Sequence, residues 1–205
     1  MTILRGFSRD EPGEETVFDF HLNFLEDIVE ALDAKLDEIA DESDEWLDPD
    51  AMGILDRYES VVGLAFGACQ TYMAAVLGCY VLPHASSLKD RKAAKGAALR
   101  LGPKHAGGRA VADLVDNAAN HWKHSEEWVD DGSPNAYRSK IRDAFSTVGI
   151  DLDSDAGYPV SGVLYALAPG ADKGRFAVVV RALVEWRETV YAASPNAQPR
   201  TSRSS

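Results

Sequence analysis

Apolar residues recur at steps of three and four along most of the chain, and this spacing predicts helices almost throughout. Over 16–42, Phe18, Leu22, Leu25, Ile28, Val29, Leu32, Leu36 and Ile39 mark one face while acids fill the others, the pattern of a long amphipathic helix. Asp48-Pro49 reads as an N-cap followed by a first-turn proline, so a second long helix is expected from about 49 to Leu82-Pro83. Shorter helices are expected over 87–101, about 109–129, 136–148 and from Pro159 to Leu167, each bounded by Gly or Pro signals. A last helix, about 172–193, places Phe176, Val179, Val180, Leu183, Trp186 and Val190 on one side. No strand alternation and no internal repeat stands out. The expected fold is all-α, a single-domain helical bundle with two long N-terminal helices. Residues 1–14 read as a flexible N-terminus, 15–193 as the helical domain and 194–205, rich in Ser and Pro, as a disordered tail.

Composition changes this picture little. At 205 residues with 45% apolar and 26% charged residues, the chain is long enough for a core without disulfide staples. Its two cysteines, Cys69 and Cys79, fall inside one apolar run and match neither a disulfide framework nor zinc-ligand spacing. The first fifteen residues contain no apolar segment and soon turn acidic, so no secretory leader is expected and a cytoplasmic, reducing location is.

Charge is more informative, because it is divided. Residues 1–60 hold 19 acids against 4 bases, whereas 61–205 hold 14 acids against 17 bases. Within the second part Lys89, Arg91, Lys92, Lys95, Arg100, Lys104 and Arg109 face only Asp90. This basic stretch reads either as a phosphate-binding patch or as the solvated face of a helix, and an overall charge of −12 weighs against general nucleic-acid binding. The acidic and basic segments could also pair, within one chain or across a dimer.

No charged residue occurs between Glu59 and Lys89, so this run has to be weighed as a membrane span. Only nine of the 23 residues from Ser60 to Leu82 are Val, Leu, Phe, Ile or Met, and Gln70-Thr71-Tyr72 would need polar partners in lipid. The amphipathic helix before it also requires an apolar surface to cover. The expectation is therefore a buried central helix, no membrane, and close packing by neighbours at Gly63, Gly67, Ala74 and Gly78.

The most chemically loaded segment runs from Asp116 to Trp128. At 100° per residue, Val111, Leu114, Val115, Ala118 and Trp122 form a core face, and Asn117, His121, His124 and Trp128 form a stripe along its flank, with Asp113 beside it. Three readings stay open. His121 and His124 could ligate a metal with Asp113 or another acid. An imidazole could move a proton while Asn117, Lys123 or an Arg stabilises developing charge. The stripe could instead be a structural seam with the histidines hydrogen-bonded to the acidic first helix. Asp151-Leu152-Asp153-Ser154-Asp155-Ala156-Gly157 approaches a calcium-loop pattern, but its glycine is one place late and Gly162 stands where the closing Glu belongs, so a solvated turn is expected.

The long acidic helix, Ala68-Cys69-Gln70-Thr71-Tyr72 and Ala118-Ala119-Asn120-His121-Trp122-Lys123-His124 together resemble the HEPN and abortive-infection-type helical proteins of bacteria, over about residues 15–130. The resemblance implies four to five bundled helices, homodimerisation and, in active members, metal-independent RNA cleavage by an Arg and a His separated by four to six residues. Arg100 and His105 have that spacing, with Gly102-Pro103 between them. On the fourth helix Asn117 stands where the Arg would be, so the positive charge would come from Lys123, Arg109 or a dimer mate, or the member is non-catalytic.

The sequence thus points to a homodimer, joined through its first two helices, with Asn117, His121, Lys123 and His124 as candidate catalytic residues. No cofactor and no metal are expected. The leading expectation is an RNA-cleaving component of bacterial defence or of a toxin–antitoxin pair. Its rival is a non-catalytic adaptor that binds a basic partner through the acidic first helix.

Overall fold

A computed structural model describes residues 4–7, 15–44, 53–124, 136–153, 157–170 and 174–195. Among them seven α-helices build an all-α bundle: α1 (Phe20–Asp44), α2 (Ile54–Tyr80), α3 (Leu88–Ala98), α4 (Val111–His124), α5 (Ala136–Ser146), α6 (Pro159–Leu167) and α7 (Phe176–Ala192). A single 3-10 turn, Leu82–His84, follows α2. The expected helix start at Asp48-Pro49, Trp128 and the tail beyond 195 lie outside the described residues.

The first helix begins later than its periodicity suggests. Residues Glu15–Phe18 form a strand, β2, paired antiparallel with β1 (Leu4–Phe7), Leu4 opposite Phe18 and Phe7 opposite Glu15. The hairpin departs from the strand-free reading, and its β1 lies within the stretch expected to be flexible. Asp19 sets the boundary: its Oδ1 accepts from the backbone N–H of His21 and Leu22 at 3.1 and 2.9 Å, an N-cap that frees the preceding β-branched pair Thr16-Val17 for pairing. The other carboxylate oxygen of Asp19 takes the buried Arg187 guanidinium at 2.6 Å and the Tyr72 hydroxyl at 2.9 Å, tying the start of α1 to α7 and α2.

The uncharged α2 is the axis of the bundle, with α1, α4, α6 and α7 packed on it. Val62, Ala65, Phe66, Cys69, Met73 and Val76 are sealed from solvent, and Phe66 meets Phe176 edge-on with ring centroids 4.9 Å apart. Burial pushes the Cys69 thiol up to about 12, so it behaves as a small apolar residue. By length and composition α2 could cross a bilayer, yet half of its most apolar stretch is buried inside the bundle. Gly63 shows why a small residue is needed: a Cβ there would lie 2.1 Å from Cδ1 of Trp122, whose indole crosses α2 at this point.

The acids of the N-terminal segment are partly structural. Asp33 on α1 accepts from the backbone N–H of Phe176 and Ala177, and Glu59 on α2 accepts from those of Val160 and Ser161. Neither α6 nor α7 has a side-chain cap of its own, so carboxylates from the long helices satisfy their first-turn donors. Arg175 and Arg57 neutralise Asp37 and Glu42.

Candidate functional site

Helix α4 buries the face its pattern predicts: Val111, Leu114, Val115 and Ala118 are buried, and Trp122 packs half-buried against Gly63. The two borders of that face then lead to different surroundings.

The first border carries the stripe of Asn117, His121 and His124, and α5 covers it. Asn117 is 1% exposed; its amide donates to the carbonyl of Asp113 at 2.6 Å and to Asp113 Oδ1 at 3.2 Å. The ring of His121 lies 5.3 Å from that of Phe145, and His124 meets Tyr137 edge-on at 6.2 Å. Burial lowers the His121 pKa to about 4, because the cationic imidazolium loses its hydration. At neutral pH it is an uncharged ring against an aromatic wall.

The second border carries Asp116, Asn120 and Lys123, and it opens onto a groove of about 420 Å³ between α2, α3 and α4. Asp116, 3% exposed, is the hub. Its Oδ1 accepts from Lys95 Nζ of α3 at 3.0 Å and from Gln70 Nε2 of α2 at 2.9 Å. Gln70 Nε2 also donates to Asn120 Oδ1 at 3.1 Å, and Asn120 donates to Asp116 Oδ2 at 3.4 Å. Lys123 Nζ donates to Gln70 Oε1. Lys123 therefore points away from His121 and His124, and the four sequence-derived candidates do not converge on one point.

The second buried carboxylate, Asp113, accepts from Arg109 Nε at 2.6 Å. Lys140 of α5 lies 3.7 Å from Asp113 and 3.9 Å from Asp116. Three cations, Lys95, Arg109 and Lys140, thus lie within 4 Å of the two carboxylates, and Lys123 joins the network through Gln70. Lys95 and Arg109 belong to the basic stretch, whose remaining members Lys89, Arg91, Lys92, Arg100 and Lys104 are exposed. No ion pair joins these five to any described residue. Asp90, the lone acid among them, is occupied by Ser86 and Ser87, whose hydroxyls hold its carboxyl below the ordinary range. Among the described residues the positive field of α3 is therefore uncompensated.

Sequence reasoning missed Gln70, Lys95, Asp116 and Asn120 as partners. The available signal was Gln70, a polar residue inside an uncharged run that had to find hydrogen bonds. Arg100 and His105 are separated by a bend at Gly102, whose φ of +74° and tight approach to Trp186 require glycine. His105 is turned into its own loop, where Nδ1 accepts from Gly107 N–H at 3.1 Å. Among the described residues no group of three or more His, Cys, Asp or Glu is arranged to hold a metal ion. In the calcium-like segment Asp151 accepts from the Asp153 backbone and Asp153 pairs with Arg142, while 154–156 lie outside the described residues.

No protein-family model, curated protein or solved structure matches the chain. The HEPN-type resemblance therefore rests on the residues quoted for it alone.

Proposed function

We propose that the chain is a helical RNA-binding module whose basic face, α3 with the adjoining groove, takes the phosphate backbone. The observation that carries this reading is the row of five exposed cations on and after α3, without an ion pair among the described residues and continued by Lys95 and Lys123 at the groove. The overall charge of −12 is no obstacle to it, because the acids are concentrated in residues 1–60 and several of them cap or neutralise other helices. Binding of this kind is electrostatic, so the logarithm of affinity falls with the logarithm of salt by about 0.7 for each single-strand phosphate contacted.

Cleavage, the other half of the HEPN-type reading, has less support. A phosphoryl transfer needs a proton donor and a fixed positive charge, and His121 is neutral while Asn117 is engaged with Asp113. The adaptor reading draws support from a groove of about 530 Å³ between α1 and α7, edged by Glu26, Glu30 and Asp37 over Val29 and Val180. Arg175 and Arg181 also line that groove, which lowers its appetite for a basic partner.

The test is titration of a labelled single-stranded RNA at two salt concentrations. The expected result is salt-sensitive binding lost in Lys89→Glu/Arg91→Glu/Lys92→Glu and kept in Glu26→Gln/Glu30→Gln. Indifference to the α3 reversal sinks the proposal, and RNA loss in cells relieved by His124→Ala would restore the nuclease.

A further inference from the structure

We infer that the groove between α2, α3 and α4 is a socket for a phosphate monoester, and that on RNA the group seated there is a phosphorylated strand end. The second half of this statement rests on the RNA-binding reading; the first half does not.

Hydrogen-bonding capacity in the groove sets what it can hold. Gln70 Nε2 gives its protons to Asp116 and Asn120, and its Oε1 accepts from Lys123. Asp116 accepts from Lys95, Gln70 and Asn120 and is closed to solvent. Each ammonium, in contrast, uses one N–H in this network and keeps two, and the Asn120 amide keeps one. Thr71, exposed on the rim, gives its proton to the Gly67 carbonyl. The network therefore offers a ligand five N–H donors, four of them on ammoniums, against second lone pairs on the Gln70, Asn120 and Thr71 oxygens. An acceptor-rich guest makes the most of it.

Charge narrows the class. The groove's charged lining is Lys95 and Lys123 against Asp116, a surplus of one positive charge that favours an anion, and the three terminal oxygens of a phosphate monoester can take more of the five donors than the two of a carboxylate or a phosphodiester. The two ammoniums are held from opposite ends of one rigid Asp116–Gln70 pair, so they are positioned before any ligand arrives. Below them Met73 and Leu77 are buried and Ala74 and Leu82 complete an apolar wall, a surface suited to the sugar or base that carries the phosphate. The volume of about 420 Å³ lies in the range of small-ligand sites. The exposed cations of α3 lead away from Lys95 along the same helix and would accompany the phosphodiesters that follow.

The experiment compares one short single-stranded RNA in three forms, with a 5′-phosphate, with a 3′-phosphate and with hydroxyls at both ends. Adenosine monophosphate and inorganic phosphate serve as competitors. The expected result is that one phosphorylated form binds the full chain about tenfold tighter than the hydroxyl form. Lys123→Met, which keeps the aliphatic stem, should reduce that preference below about twofold while melting temperature holds. Lys95→Met on the opposite wall is the second variant if the first fails to fold. Equal binding of all three RNAs overturns the socket, and loss of that shared binding in the α3 reversal leaves the RNA reading standing. If no RNA binds but adenosine monophosphate does, and Lys123→Met abolishes it, the socket stands and RNA is rejected as its source.

Discussion

The two borders of α4 have similar composition and opposite fates. One presents an amide and two imidazoles, the other a carboxylate, an amide and an ammonium, and both look equally able to support chemistry on a helical wheel. The difference is what covers them. The histidine border lies under α5, where Phe145 and Tyr137 replace water and strip His121 of its ability to hold a proton at neutral pH. The lysine border meets Gln70 of α2 and Lys95 of α3 across an open groove, so its polar groups stay within reach of a ligand. A chemically promising residue type is thus no guide to a site until the neighbouring helix is known.

Four measurements would break or sharpen this contrast. The first is Asp116→Ala, which removes the acceptor shared by Lys95, Gln70 and Asn120. A loss of about 1–3 kcal/mol is expected in denaturant unfolding, since the half-buried Gln70 and Asn120 amides lose their acceptor. A loss under 0.5 kcal/mol would show that the lysine border is not held by this hub.

Next comes Gly63→Ala, which tests the shared wall between the borders. The added methyl would fall inside the Trp122 ring, and overpacking of this kind costs about 1–3 kcal/mol. A neutral outcome would mean that Trp122 is free to move aside.

The third is pH dependence. Because His121 has its folded pKa lowered to about 4 against an ordinary value of 6.5, the unfolded state binds more protons between those values. Stability is therefore full above pH 6.5 and falls as pH drops toward 4, by roughly 2–3 kcal/mol from this residue. His121→Leu should flatten that part of the profile, and an unchanged slope would place the imidazole in water. The smallest change is expected from Lys123→Ala: under about 0.5 kcal/mol in stability, because its amine is exposed, but a clear loss in RNA affinity.

Much of the architecture was legible because burial of a helical face leaves a 3.6-residue imprint. Val111, Leu114, Val115 and Ala118 lie where the wheel puts them, and the absence of charge from Ser60 to Leu88 marked the central helix. Periodicity is blind to helix ends that a side chain decides, so Asp19 and the hairpin before it were missed. It is equally blind to which flank a third helix covers. Asp113 stands beside the histidine stripe in the sequence, but nothing there marks it or Asp116 as buried, and their charge is met by Arg109, Lys95 and Lys140 from other segments. The acidic character of α1 was plain, whereas the use of Asp33 and of its neighbour helix's Glu59 as caps for distant helices is a property of the assembled bundle.

The most direct test sets the two borders against each other in one binding experiment. Single-stranded RNA is titrated into the wild-type chain, Lys95→Met/Lys123→Met and His121→Ala/His124→Ala, with folding checked by circular dichroism. Weakened binding in the lysine pair and near wild-type binding in the folded histidine pair is the expected result. Retained binding without the lysines and lost binding without the histidines would contradict the account.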